Sequence, residues 1–221
     1  MNPQTVPATA SVGNSPIESY YRLHSHIYDA TRWTFLFGRL AILREAAAVA
    51  RPARILEVGC GTGKNLVNLC RLFPQSEITG VDLSETMLEV ARRKTTALGS
   101  RVRLLHGAYG PAFQNERPVD LILFSYALSM FNPGFAEAIA TAHRDLAPGG
   151  HIAVVDFHDT RLSLFERWMG VNHVRMNGQL EPLLTVQFER RSHHVKSAYG
   201  GVWRYLLFVG RKPVAGQTAK G

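Results

Sequence analysis

"ILEVGCGTGKN", Ile55 to Asn65, is the stretch on which the reading of this chain turns. A short apolar run ends in three glycines at alternate positions, Gly59, Gly61 and Gly63, and the amphipathic run KNLVNLCRLF follows at once. That order reads as strand, tight loop and helix. Glycine lets the backbone turn sharply and leaves main-chain N–H groups open to a ligand, because no Cβ stands in the way. The helix N-terminus adds partial positive charge. Roughly twenty residues further on, Asp82 closes the next apolar run, EITGVDL, where a carboxylate can accept hydrogen bonds from ribose hydroxyls. The spacing also separates ligands. A dinucleotide loop reads G-x-G-x-x-G over a pyrophosphate, whereas this one reads G-x-G-x-G and continues into Lys64 and Asn65. Glu57, two residues ahead of the first glycine, would repel a pyrophosphate and suits a ligand that carries positive charge.

Outward from this loop the chain keeps alternating. SETMLEVARRKTTALG runs from a Ser84 N-cap to Gly99 as a helix, RVRLLHG is a third strand, and VDLILFSYAL a fourth. GFAEAIATAHRDLAPGG is a helix closed by Pro-Gly-Gly, and HIAVVDFHD a fifth strand. Alternation of this kind predicts an α/β, Rossmann-like, doubly wound sheet that is mostly parallel. FERRSHHVKSAYG and GVWRYLLFVGRK meet at Gly200-Gly201 without a helix between them, so they add a C-terminal antiparallel hairpin and bring the sheet to about seven strands. Ahead of the sheet, residues 17–50 have helical spacing and form an expected N-terminal helical lid. Residues 1–16 read as a flexible leader, 51–213 as the Rossmann-like domain and 214–221 as a flexible tail.

Composition narrows the partners. The chain has 221 residues, 46% of them hydrophobic, a net charge of +8 and a pI near 9.9. A basic surface attracts phosphate, whether in nucleic acid, lipid headgroups or a small substrate. No nucleic-acid-binding signature stands in the sequence, no apolar run is long enough to span a bilayer, and the N-terminus lacks the layout of a secretory signal. The two cysteines, Cys60 and Cys70, have no metal-ligand spacing, so no metal is expected, and reduced thiols in the cytoplasm are the simplest reading.

Glu57, the glycine loop and Asp82 together resemble the first motif of class I S-adenosylmethionine-dependent methyltransferases. VDLSETMLEVAR resembles that family's second motif, VDLILFSYALSMF its fourth, and LAPGGHIAVVDF the segment after its last core helix. The resemblance runs from about Tyr20 to the end of the hairpin. It implies S-adenosylmethionine as cofactor and S-adenosylhomocysteine as product. It implies that Gly59, Gly61 and Gly63 line the methionine and ribose, that Asp82 holds the ribose hydroxyls, and that Leu83 and Met87 touch the adenine. Glu57, Asn65 and Ser125 complete the expected cofactor contacts. One position departs from the family: Ala108 stands where many relatives carry an adenine-binding Asp, and backbone or His106 would have to take over.

Open α/β sheets bind ligands beyond the carboxyl ends of their strands. Those ends supply Ser125, Tyr126 and Ser129 after the fourth strand, and Asp156, His158 and Asp159 after the fifth. His158 is the expected general base, with Asp156 orienting it or balancing a cationic amine. His193 and His194 are expected on the surface of the hairpin. The segment YYRLHSHIYDATRWTFLFGR, Tyr20 to Arg39, with VDFHD and NHVRM later, resembles the diacylglyceryl-homoserine N-methyltransferases of betaine-lipid synthesis. That resemblance implies trimethylation of a lipid amine by a peripheral enzyme on the inner face of an anionic membrane. Tyr21 and Tyr28 would then wall the methyl-transfer chamber through cation–π contact and Arg32 would meet the substrate's anionic group. Tyr126, Ser129 and Asp156 would also face the substrate. Two further readings stay open: a methyltransferase for another phospholipid, a quinone precursor or a soluble small molecule, and a non-catalytic S-adenosylmethionine-binding protein.

Overall fold

The structure is a computed structural model and describes residues 36–131, 133–171 and 174–214. Tyr21, Tyr28 and Arg32, with most of the expected lid, lie outside the described residues. Helix α1 (Arg39–Val49) follows Gly38 and leads into strand β1 (Arg54–Val58). After the glycine loop come α2 (Lys64–Leu72), β2 (Glu77–Asp82) and α3 (Glu85–Thr95). Ser84 caps α3 as its residue type predicts, its hydroxyl accepting from the Met87 N–H. A 3₁₀ stretch (Thr96–Arg101) then leads to β3 (Val102–His106). Next are β4 (Val119–Ser125), α4 (Phe135–Asp145) and β5 (Leu146–Thr160). Helices α5 (Ser163–Val171) and α6 (Leu180–Gln187) precede the hairpin β6 (Glu189–Ala198) and β7 (Trp203–Arg211).

Among the described residues the strands form one seven-stranded sheet in the order β3-β2-β1-β4-β5-β7-β6. The pairs from β3 to β5 are parallel, and β7 runs antiparallel to both β5 and β6. The inner strands are apolar on both faces because helices cover both. Ile55, Leu121, Leu123, Ala153, Val155 and Leu207 pack with Ile42 and Leu43 of α1, Leu66 and Leu69 of α2, and Leu88 of α3. Their alternate neighbours Leu56, Val58, Ile122, Phe124, Ile152, Val154 and Phe208 pack with Ala138, Ile139 and Ala142 of α4 and Leu180 and Leu184 of α6. The parallel strands therefore present their carboxyl ends along one edge, with the order reversing between β1 and β4. That switch point is where open sheets leave a crevice.

β5 begins at Leu146, five residues earlier than the sequence pattern suggested, because Leu146 pairs with Val119 before a register shift restores the ladder at Leu121↔His151. Helices α5 and α6 were not anticipated.

Candidate functional site

The loop after β1 is held in place before any ligand is considered. The N–H groups of Gly59 and Cys60 donate to Val81 O on β2 at 2.9 and 3.1 Å, and Gly63 N–H donates to Cys60 O at 3.0 Å. All three loop glycines have positive φ, 69° at Gly59, 53° at Gly61 and 75° at Gly63. Their surroundings differ. A Cβ on Gly59 would meet Ala127 Cβ at 2.9 Å, and one on Gly63 would meet Ala91 Cβ at 2.9 Å. Around Gly61 no atom lies within 4 Å of that point. Gly59 and Gly63 thus serve packing, while Gly61 borders open space.

Asp82 joins the two ends of this crevice. Its Oδ2 accepts from Gly61 N–H at 2.7 Å and its Oδ1 from Ser84 N–H at 2.9 Å. Each oxygen keeps a second lone pair, so the carboxylate is oriented by backbone yet can still accept from a vicinal diol. Glu57 is 1% exposed. Its Oε1 accepts from Asn65 Nδ2 at 2.8 Å, whereas Oε2 has no hydrogen-bond partner among the described residues. Complete burial pushes its carboxyl up to about 8, against the pull of the Asn65 amide and the Arg39 charge.

These residues fit the cofactor that the sequence pattern implies. Gly61 supplies a cradle that a side chain would fill, Asp82 a diol acceptor, and Glu57 a buried oxygen lacking a donor. Met87 is buried and Leu83 is 64% exposed, so Leu83 offers an apolar surface beside the loop. Ser125, the last residue of β4, is buried with its Oγ unpartnered among the described residues. Ala108 lies exposed in the loop after β3 and offers no side-chain hydrogen bond. His106 sits beside it with Nε2 2.9 Å from Leu83 O and Nδ1 3.6 Å from Glu85 Oε2.

The acceptor side changes the sequence reading at three positions. Asp156 is fully buried. Its Oδ2 accepts from Ser129 N–H at 3.1 Å and its Oδ1 from Phe157 N–H at 2.8 Å. Burial raises its carboxyl to about 6, opposed by those hydrogen bonds. Asp156 therefore pins the turn after β4 (Leu128–Met130) instead of meeting a substrate amine, and it draws Ser129 inward with it. Tyr126 is likewise interior: its ring lies edge-on to Phe157 with centroids 4.8 Å apart, and its hydroxyl donates to Phe37 O at 2.7 Å. It holds φ 57°, a left-handed conformation that costs a non-glycine residue about 1–2 kcal/mol. The strain places the chain turn at the carboxyl end of β4 and ties that end to the start of α1. His158 is half-buried at the end of β5 beside Asp159 and Glu181. His193, expected on the surface, faces the same Glu181 carboxylate.

Residues 55–150 match the methyltransferase domain family. Among curated proteins, the malonyl-[acyl-carrier protein] O-methyltransferase of Priestia megaterium (strain DSM 319 / IMG 1521) is 38% identical over 103 residues, 47% of this chain and 36% of that protein. The demethylmenaquinone methyltransferase of Staphylococcus aureus (strain JH9) is 30% identical over 120 residues, 54% of this chain and 49% of its own length. The matches thus span only a third to a half of the curated relatives. Among solved structures, the N-methyltransferase NodS from Bradyrhizobium japonicum WM9 in complex with S-adenosylhomocysteine superposes with a TM-score of 0.67 at 19% identity, covering 91% of this chain and 90% of that one. Residues 55–150 thus resemble a methyltransferase domain, and the solved structure shares the fold. The matched segment carries the glycine loop, Asp82 and Ser125, while His158, Glu181 and His193 lie beyond it. Among the described residues no cluster could hold a metal ion, and no helix is long and apolar enough to cross a membrane.

Proposed function

We propose that the protein transfers the methyl group of S-adenosylmethionine to the amino nitrogen of a lipid, converting diacylglyceryl-homoserine to its trimethylated betaine form at the inner face of an anionic membrane. The observation that carries the lipid reading is an aromatic cluster at the carboxyl end of the sheet. Phe37 packs against Tyr199 with centroids 5.3 Å apart and against Trp203 at 6.0 Å. Phe37 and Tyr199 remain exposed, as does Leu40 on α1, in a chain of net charge +8. Exposed apolar side chains within a basic protein suit an interface with anionic headgroups.

When bound, the cofactor supplies an electrophilic methyl carbon on a sulfonium. The chain's share is to orient and to handle a proton. Asp82 and the Gly61 cradle hold the nucleoside end, and Glu57 accepts from the cationic amino end. His158 takes the proton that the substrate ammonium must lose before its nitrogen can attack.

Incubation with methyl-labelled S-adenosylmethionine and vesicles containing diacylglyceryl-homoserine tests the reading. Label is expected in the lipid fraction as mono-, di- and trimethylated headgroups by mass spectrometry. Absence of label there sinks it. The 30% identity to a demethylmenaquinone methyltransferase favours a second reading, a quinone precursor as acceptor. In that case the label enters the quinone and not the amine.

A further inference from the structure

A group of ionisable side chains stands at the carboxyl end of β5. His158 occupies the point where the β5–β7 register shifts between Phe157 and Asp159, with its side chain 12% exposed. Two carboxylates face its Nε2, Asp159 Oδ2 and Glu181 Oε2, each at 3.8 Å. They are not equivalent. Asp159 lies opposite Arg204 across the ladder, and both of its oxygens are taken by that guanidinium, which holds its carboxyl below the ordinary range. Glu181 faces two imidazoles, and the Arg204 charge also acts on its carboxylate. Its second oxygen lies 2.9 Å from His193 Nε2 on β6. That contact is a close approach and not an aligned hydrogen bond.

The backbone builds this placement from three sides. Asn177 bridges to Asp159, and Gly178 N–H donates to His158 O at 2.8 Å. Gly178 has φ 69°, and a Cβ there would come within 3.3 Å of His158 Cε1. The chain therefore passes directly over the imidazole. Two residues later α6 begins, and its buried Leu180 and Leu184 seat the helix with Glu181 beside the ring.

We propose that Glu181 is the positioning residue for His158: its carboxylate attracts the Nε2–H side of the imidazole, leaving Nδ1 to take the proton from the substrate ammonium, while His193 steadies the same carboxylate from its far side. The role rests on the amine-methylation reading above. The proton passes from the ammonium to Nδ1. The lone pair so released forms the N–C bond to the methyl group as the C–S bonding pair returns to sulfur, leaving a neutral thioether. An oriented carboxylate fixes which ring nitrogen is protonated and stabilises the imidazolium as it forms. The groups facing His158 are Asp159 on β5 and Glu181 on α6, with Arg204 on β7 and Arg161 close to Asp159 and His193 beyond Glu181.

The test uses the full chain with ¹⁵N-labelled histidine, the His158 ring signals being assigned by comparison with His158→Gln. In the parent the Nε2–H tautomer is expected to dominate, and in Glu181→Ala it should give way to a mixture. Glu181→Gln keeps the shape and removes the charge. It should lower kcat about tenfold with KM little changed. Glu181→Asp should recover part of the rate. An unchanged His158 spectrum in Glu181→Ala overturns the proposal without reference to any substrate. A changed spectrum with unchanged kcat overturns the catalytic part. If the parent methylates no amine, the amine reading fails, while the spectrum still decides whether Glu181 orients the ring.

Discussion

Gly61 and Gly63 share a left-handed backbone but should respond differently to the same substitution. Gly63→Ala places a methyl 2.9 Å from Ala91 Cβ, between α2 and α3, so strain and overpacking add to about 2–4 kcal/mol of lost stability. Gly61→Ala meets no atom within 4 Å, so only the backbone strain of about 1 kcal/mol remains. Its methyl instead enters the cradle, and S-adenosylmethionine affinity by calorimetry should fall at least tenfold. Unchanged affinity in Gly61→Ala would remove Gly61 from the cofactor site. Glu57 gives a pH signature. Burial raises its carboxyl from 4.5 to about 8, so between these values the folded state holds a proton that the unfolded state has released. The stability from this group is complete below about 4.5 and is lost as pH rises through about 8. Asp156, raised from 3.8 to about 6, adds the same trend over a lower window. The ligand-free protein should therefore melt lower at pH 8 than at pH 6, and Glu57→Gln should flatten that slope. Parallel slopes in parent and variant would contradict the assignment.

The elements that sequence pattern revealed are those whose physics is local. β1, β4 and the middle of β5 are buried on both faces, so each reads as an apolar run. The hairpin β6–β7 announces itself through Gly200-Gly201, with no room for a crossover helix between the strands. α5 and α6 were missed for a physical reason. α6 has eight residues, too few to establish a period, and carries Pro182. Proline reads as a breaker but is tolerated in a first turn, where its missing N–H has no intrahelical acceptor. Asp156 shows the limit at a strand end. An acid there looks the same in sequence whether it faces ligand or backbone, and only its two N–H partners separate the cases. Since it binds the turn after β4 to β5, Asp156→Ala should leave the Ser129 and Phe157 amides buried without an acceptor. The cost is about 2–5 kcal/mol, seen as a lower urea midpoint with an unchanged m-value. A loss below 1 kcal/mol would mean that this turn is held by other contacts.

At the scale of the molecule, what the sequence could show depends on how far apart the partners lie. Glu57 and Asn65 are eight residues apart and flank one loop, so their pairing is written in the motif. Glu181 meets His158 and His193 only because β6 lies outside β7 and α6 covers that face, which no single stretch encodes. The proposed membrane contact is also a property of the whole surface. Leu40 on α1 and Tyr199 after β6 come from opposite ends of the chain, and Phe37 joins them through its ring contact with Tyr199. A basic protein is drawn to anionic vesicles over about 30 Å at 0.01 M salt but only about 8 Å at 0.15 M, so co-sedimentation should weaken as salt rises. What remains at higher salt reports apolar insertion. Leu40→Glu should reduce that remainder at least tenfold, through lost burial and repulsion from the headgroups. An acid in the first turn of α1 favours the helix, so the fold should survive. Val186, 86% exposed on α6, belongs to the layer across the sheet from α1. Val186→Glu should therefore sediment like the parent. Equal loss in both variants would reduce the effect to net charge, and no sedimentation of the parent at low salt would favour a soluble methyl acceptor over the lipid.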